Sequence, residues 1–114
     1  MPASEECRIL GYKLIGEFVF SEIIGDFIRD ENWEMAKPSV KATSAALSSS
    51  LKEGFINLEQ LVHLVKDLKR IDTAIEVRDK KEADRAFSLF FADYGTVLID
   101  AVADCECSKR EKEK

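Results

Sequence analysis

The sequence predicts an all-α protein, a single domain of four helices arranged as a bundle. Apolar residues recur at the alternating three- and four-residue steps of one helix face, most clearly over residues 82–105. Capping residues, Gly and Pro stand between the apolar segments, where helices begin and end. The 114 residues are enough for one core but too few for two. We therefore expect an up-down-up-down domain over residues 1–105, followed by a charged, disordered tail over residues 106–114.

The composition is that of a soluble globular protein, with 46% hydrophobic and 34% charged residues. A net charge of -5 argues against nucleic-acid binding, which needs a clustered basic face. The start of the chain is acidic and polar rather than basic and apolar, so no secretory signal is expected. Charged residues interrupt both long apolar segments, which argues against a membrane span. These features predict a cytoplasmic protein.

The three cysteines are an odd number and too few for a disulfide framework. Cys105 and Cys107 form a C-E-C motif near the end, and Cys7 lies near the start. A thiolate metal site typically needs a fourth ligand and wider pairs. We expect ordinary reduced thiols, with Cys105 partly buried.

The first predicted helix covers residues 5–29, beginning after Ser4. Its apolar residues cover most of the circumference at 100° per residue, and only a narrow arc is consistently polar. A strand over residues 17–24 is the rival interpretation. The apolar surface of this helix is larger than three neighbouring helices would cover. We therefore predict a homodimer with the first helix near the symmetry axis.

The next two helices are placed by Pro, Gly and a capping box. Pro38 suits the first turn of a second helix ending near Lys52, and Gly54 follows as a terminator. The second helix is rich in small residues, which predicts a packing face formed by Ala42, Ala46 and Ser49. Asn57 and Gln60 have capping-box spacing, which predicts a third helix over residues 58–77.

The fourth predicted helix has an aromatic core face. Its members are Phe87, Phe90, Tyr94, Val97, Ala101 and Cys105. Asp79 and Glu82 have the spacing of another capping box, which would start this helix. One continuous helix from residue 58 to residue 105 is the alternative, but the apolar stripe shifts phase by about one residue near Asp79, which favours a break. A second stripe, formed by Asp93, Asp100 and Asp104, follows the edge of the aromatic face.

Acidic residues on apolar helices are the only candidate site, because a buried charge is costly unless it is paired or liganded. Glu17 and Asp93 lie near the middles of the first and fourth helices, at similar heights in an antiparallel bundle. Helical bundles hold divalent metals with such carboxylates. Glu17, Asp93 and Asp100 are therefore the candidate metal ligands, for Mg²⁺ or Mn²⁺. Solvated or paired acids are the simpler interpretation, and His63 is expected to be solvated on a Lys-rich face.

No sequence motif of a known catalytic site is present. We therefore expect an interaction or adaptor protein without catalytic activity or cofactor, acting through helix packing as a homo-oligomer. One alternative is a divalent-metal hydrolase on nucleotides, as in all-α pyrophosphohydrolases. Glu31 and Glu34 have the spacing of the first half of that motif, but the second half does not follow. A second alternative is a carrier with an apolar pocket over the second helix.

Overall fold

Four α-helices make up the part of the chain that the structure describes. The computed structural model describes the backbone of residues 5–113 and the side chains of residues 5–105. The helices are α1 (Glu5–Arg29), α2 (Trp33–Lys52), α3 (Leu58–Glu76) and α4 (Lys80–Glu113). The all-α prediction is confirmed. The rival strand is wrong, because residues 17–24 lie inside α1.

The start of α2 differs from the prediction, since the helix begins before Pro38. Asn32 caps it, with its side-chain oxygen accepting a hydrogen bond from the backbone N–H of Met35 at 3.3 Å. Pro38 therefore lies inside the helix, where it cannot donate to the carbonyl of Glu34. Glu34 is exposed, so water can satisfy that carbonyl.

The boundaries of α3 and the start of α4 follow the predicted capping signals. Asn57 and Gln60 form both hydrogen bonds of the capping box, each at 2.8 Å. Arg78, with φ of 54°, interrupts the helical backbone after α3. The Asp79 side chain then accepts a hydrogen bond from the backbone N–H of Glu82 at 3.1 Å. The predicted break between α3 and α4 is confirmed.

The backbone of α4 continues past the predicted end at Cys105, as far as Glu113. The side chains of residues 106–114 lie outside the described part of the chain. The disordered tail predicted for these residues stays a prediction.

The four helices share one core. α1 contacts α2 and α4, and α3 contacts α2 and α4. The aromatic face of α4 points into this core, as predicted, and its most buried members are Phe90 and Tyr94. The largest fully buried apolar side chains are Tyr94, Phe90, Leu14, Ile24, Ile28, Leu47, Leu64, Ile71 and Cys7.

The contact between α1 and α4 runs along most of both helices. The rings of Phe18 and Phe91 stack with centroids 4.2 Å apart, close to Gly95. Nearer the other end of the pair, Gly25 is buried against the ring of Phe87. The early part of α1 lies beside the late part of α4 and the reverse, so the two helices are antiparallel.

The packing face predicted for α2 is wrong in detail. Ala42 and Ser49 are exposed, whereas Ser39, Thr43 and Ser50 are buried. Two of the buried hydroxyls donate hydrogen bonds to backbone carbonyls of their own helix. Ser39 donates to the carbonyl of Ala36 at 2.6 Å, and Thr43 donates to the carbonyl of Ser39 at 2.9 Å. Local hydrogen bonds of this kind let hydroxyl residues face the core.

Cys7 and Cys105 form a disulfide between the early part of α1 and the late part of α4, across a sequence separation of 98 residues. The expectation of reduced thiols is wrong for this pair. Nothing in the spacing of the cysteines shows it, because the two residues meet only when α1 and α4 pack against each other. The bond links α1 and α4 near one end of that helix pair.

One described helical segment, Lys80–Cys105 of α4, is long and apolar enough to cross a membrane by length and composition alone. A core helix of a soluble protein meets the same criterion.

Removing the disulfide should destabilise the fold strongly. By the chain-entropy argument, a crosslink closing a loop of this length contributes about 4–5 kcal/mol. Cys7→Ser and Cys105→Ser should each lower the free energy of unfolding by roughly that amount in urea denaturation. Cys107→Ser, which keeps both bonded cysteines, is the control and should have little effect. Equal losses in all three variants would contradict the pairing.

Adding one methyl group at Gly25 should also be costly. A Cβ there would clash with the ring of Phe87, so the ring or the helix must shift. Gly25→Ala should lower the free energy of unfolding by about 1–3 kcal/mol.

Gly16→Ala is the matched control in the same helix, because its added Cβ has no neighbour within 4 Å apart from the adjoining residues and the nearby backbone of α1. It should raise the free energy of unfolding by up to about 1 kcal/mol through helix propensity. Equal effects of the two substitutions would contradict the close contact at Gly25.

Candidate functional site

The Glu17 side chain links three helices and is not part of an acidic cluster. From α1 its carboxylate accepts a hydrogen bond from the Ser50 hydroxyl of α2 at 2.8 Å. It also accepts one from the Tyr94 hydroxyl of α4. The pKa of Tyr94 is raised by burial and, secondly, by the negative charge and hydrogen bond of Glu17. These partners offset the cost of placing a carboxylate at the edge of the core.

Asp93 turns away from α1 and towards α3. Its Oδ2 lies 3.1 Å from Nε2 of His63. The His63 side chain is 59% exposed, and that of Asp93 is 27% exposed. His63 is exposed, as expected, but the expectation that it has no neighbouring ligand is wrong, because the imidazole pairs with a carboxylate of the neighbouring helix.

Asp67 lies one turn after His63 on α3 and is the most unusual acid among the described residues. It is only 6% exposed. Its Oδ2 is the one buried side-chain oxygen or nitrogen of the described chain without a hydrogen-bond partner. Because Asp93 is also a carboxylate, it can satisfy this oxygen only when one of the two groups carries a proton.

The pKa of Asp67 is raised to about 6. Burial is the largest cause, followed by the hydrogen bond and the negative charge of Asp93. His63 and Arg70 lower the pKa of Asp67, but by less. Asp67 and Asp93 thus repel each other when both are ionised, and a proton taken up below about pH 6 relieves that repulsion.

His63, Asp67 and Asp93 together offer one nitrogen and two oxygen ligand atoms that all lie within 4.8 Å of one another. No other group of three His, Cys, Asp or Glu side chains in the described part of the chain meets that criterion. We call these three residues the α3–α4 cluster.

The three acids chosen from the sequence are not brought together. Asp93 belongs to the α3–α4 cluster, Glu17 contacts Ser50 and Tyr94, and Asp100 is exposed. The similar height of Glu17 and Asp93 was not sufficient, because Glu17 leaves α1 towards Ser50 of α2 and Asp93 leaves α4 towards His63 of α3.

Sequence reasoning missed His63 and Asp67, although one signal was available. The two residues are four positions apart and therefore share a helix face. That face also carries the buried Leu64 and Leu68 at its border, which makes an acid there expensive.

A second unusual feature is an uncovered apolar surface on α1. Its large exposed side chains include Tyr12 at 69%, Ile15 at 47% and Val19 at 56%. Across a groove of about 530 Å³ between α1 and α4, Ile99 is 67% exposed. We define the outer apolar face as Ile9, Tyr12, Ile15, Val19, Phe20 and Ile99.

No protein-family model, curated protein or solved structure matches this chain.

Because the pKa of Asp67 is raised, we expect the free energy of unfolding to fall as pH rises. Its pKa is about 6 in the folded chain against 3.8 for the ordinary group, so the folded state holds the proton more tightly. The free energy of unfolding should decline between about pH 4 and pH 6. With a chelator present, Asp67→Asn should flatten this decline and raise the free energy of unfolding at pH 8 by roughly 1–3 kcal/mol.

The matched control is Asp100→Asn, which removes an exposed carboxylate from α4. It should leave the pH dependence of unfolding as in the unmodified chain. A decline that persists in Asp67→Asn would show that another group is responsible.

Proposed function

We propose that this protein is a non-enzymatic interaction protein that assembles as a homodimer through the outer apolar face, with α1 of one copy against α1 of the other. The observation that carries this proposal is the exposure of large apolar side chains along one side of α1. Exposed apolar surface of this extent, framed by charged residues, is typical of a protein–protein interaction site.

The exposed residues of α1 follow a coiled-coil spacing. Six exposed positions recur at alternating four- and three-residue steps: Arg8, Tyr12, Ile15, Val19, Glu22 and Asp26. A stripe of that period is the contact seam of two packed helices. Its middle is apolar, and its ends are charged with opposite signs.

The charges at the ends favour one orientation. In an antiparallel pair, Ile15 of each copy lies opposite Val19 of the other, and Arg8 lies opposite Asp26. A parallel pair would instead place Arg8 against Arg8 and Asp26 against Asp26. Opposite charges at an interface rim set the register and exclude the repulsive arrangement. We therefore propose a two-fold axis perpendicular to α1, between Ile15 and Val19.

The available area also suits a dimer. Each large side chain of the outer apolar face exposes on the order of 100 Å², so the face offers roughly 600 Å². A standard interface buries roughly 800 Å² per partner, and polar rim residues supply the difference. A second copy of the chain presents an apolar face of the same area, whereas a different protein need not.

We propose an up-down-up-down bundle, consistent with the neighbours that each helix contacts. No nucleic-acid or membrane partner is proposed, and the dimer would dock a protein partner not yet identified.

The cytoplasmic location stays a prediction. The Cys7–Cys105 disulfide argues against it, because such bonds persist mainly in oxidising compartments. Non-reducing peptide mapping of the chain purified from its native cells, with thiols blocked at lysis, tests the prediction. A reduced pair supports the cytoplasm, and an oxidised pair contradicts it.

A charged residue at the centre of the proposed α1–α1 contact should give monomers. Ile15→Asp places two carboxylates at the centre of the proposed interface and should weaken dimerisation at least about 100-fold. Sedimentation equilibrium at micromolar concentration should then report 12.9 kDa, the mass of one chain. Ser48→Asp, on the exposed side of α2, is the control and should remain dimeric.

Exchanging the end charges tests the orientation. Arg8→Asp and Asp26→Arg should each weaken the dimer several-fold, and the double variant should restore it. Failure of that rescue would contradict the antiparallel seam.

The oligomeric state of the unmodified chain tests the proposed dimer directly. If it remains a monomer at a concentration on the order of 100 μM, the dimer is wrong. A monomer that floats with phosphatidylcholine vesicles would assign the outer apolar face to a membrane instead.

A further inference from the structure

We infer that His63, Asp67 and Asp93 form a binding site for a divalent transition-metal ion of the Zn²⁺ class. The site lies on the α3–α4 side of the molecule, away from the outer apolar face. The inference goes beyond the proposed dimer and does not rest on it.

The donor set and its dimensions suit such an ion. Zn²⁺ binds imidazole nitrogen and carboxylate oxygen at about 2.0–2.2 Å, which puts neighbouring ligand atoms roughly 3.3 Å apart. The His63 nitrogen and the Asp93 oxygen are already 3.1 Å apart. All three ligand atoms lie within 4.8 Å of one another, so small side-chain rotations would close the set.

The positions of the ligands on their helices also suit a metal. His63 and Asp67 are separated by one turn of α3, and Asp93 comes from α4. Two ligands one turn apart on one helix and a third from its neighbour are a common way to build a site within a helical protein. A bound ion would therefore hold α3 and α4 together at this height.

Asp67 supplies the second and independent observation. Its Oδ2 is buried and has no hydrogen-bond partner, and the Asp67 side chain lies against the carboxylate of Asp93. A buried carboxylate oxygen of this kind costs free energy unless a proton or a cation satisfies it. Arg70 does not fill that role directly, because its guanidinium lies 3.8 Å from Glu82 and is 56% exposed.

The chemistry of the ligands favours a transition metal over Mg²⁺. Imidazole is a ligand for Zn²⁺, Ni²⁺ and Co²⁺, whereas Mg²⁺ prefers oxygen ligands and near-ideal octahedral geometry. The exposed His63 gives the ion an entry path, and water would take the fourth position. This differs from the Mg²⁺ or Mn²⁺ site expected from the sequence, and no reaction is assigned to it.

Metal binding should stabilise the folded chain. The experiment is a thermal unfolding scan with and without Zn²⁺, in a Cys107→Ser background so that the tail thiol does not compete. At a Zn²⁺ concentration roughly 100-fold above the dissociation constant, the melting temperature should rise by about 10 °C. Mg²⁺ at the same concentration should give no rise.

Variants locate the site. His63→Ala and Asp67→Asn should each weaken Zn²⁺ binding at least tenfold in isothermal titration calorimetry. Asp100→Asn, an exposed acid of α4, is the matched control and should bind Zn²⁺ like the unmodified chain. Asp67→Asn retains the shape of the side chain, and its unfolding curve without metal verifies that it folds.

Cobalt gives a readout that does not depend on stability. Co²⁺ bound by one imidazole and two carboxylates in a four-coordinate site should give visible absorption that His63→Ala removes. Zn²⁺ binding unchanged in His63→Ala, or lost equally in Asp100→Asn, would overturn the inference. So would the absence of any Zn²⁺ effect on the unmodified chain.

Discussion

The antiparallel packing of α1 on α4 is the contact on which the other features of this protein depend. It is made by aromatic rings against small residues, with Phe18 stacked on Phe91 and Gly25 beneath Phe87. Interiors packed at this density tolerate little change in volume or rotation. The contact therefore fixes how α1 is rotated, and the Cys7–Cys105 disulfide joins the two helices near one end of it.

Fixing that rotation has two consequences. The side of α1 that faces inward carries Glu17, whose carboxylate is satisfied by Ser50 and Tyr94 from two other helices. The opposite side carries Tyr12, Ile15 and Val19, which no described helix covers. α1 thus contributes both a carboxylate that links three helices inside the fold and an apolar surface outside it. The proposed dimer removes that surface from water, which is the main driving force for association.

The same packing turns Asp93 towards α3, where it meets His63 and Asp67. Two facing carboxyls, one of them buried, destabilise the fold unless a proton or a cation lies between them. Clusters of this kind occur at functional sites and also in structural ion-pair networks. Much of this site was hidden from the sequence. Asp93 was recognised as unusual, but its partners lie 30 and 26 positions earlier in the chain.

The helices were readable from the sequence because their causes are local. Apolar period, the Asn57 capping box and the break at Asp79 act within a few residues, and three of the four starting points follow from them. Which side chains meet was not readable, because it depends on the rotation of each helix about its axis. A difference of one position turns a side chain by 100°, enough to pair Asp93 with His63 instead of Glu17. The disulfide was hidden for the same reason, since Cys7 and Cys105 meet only through the packing of α1 on α4.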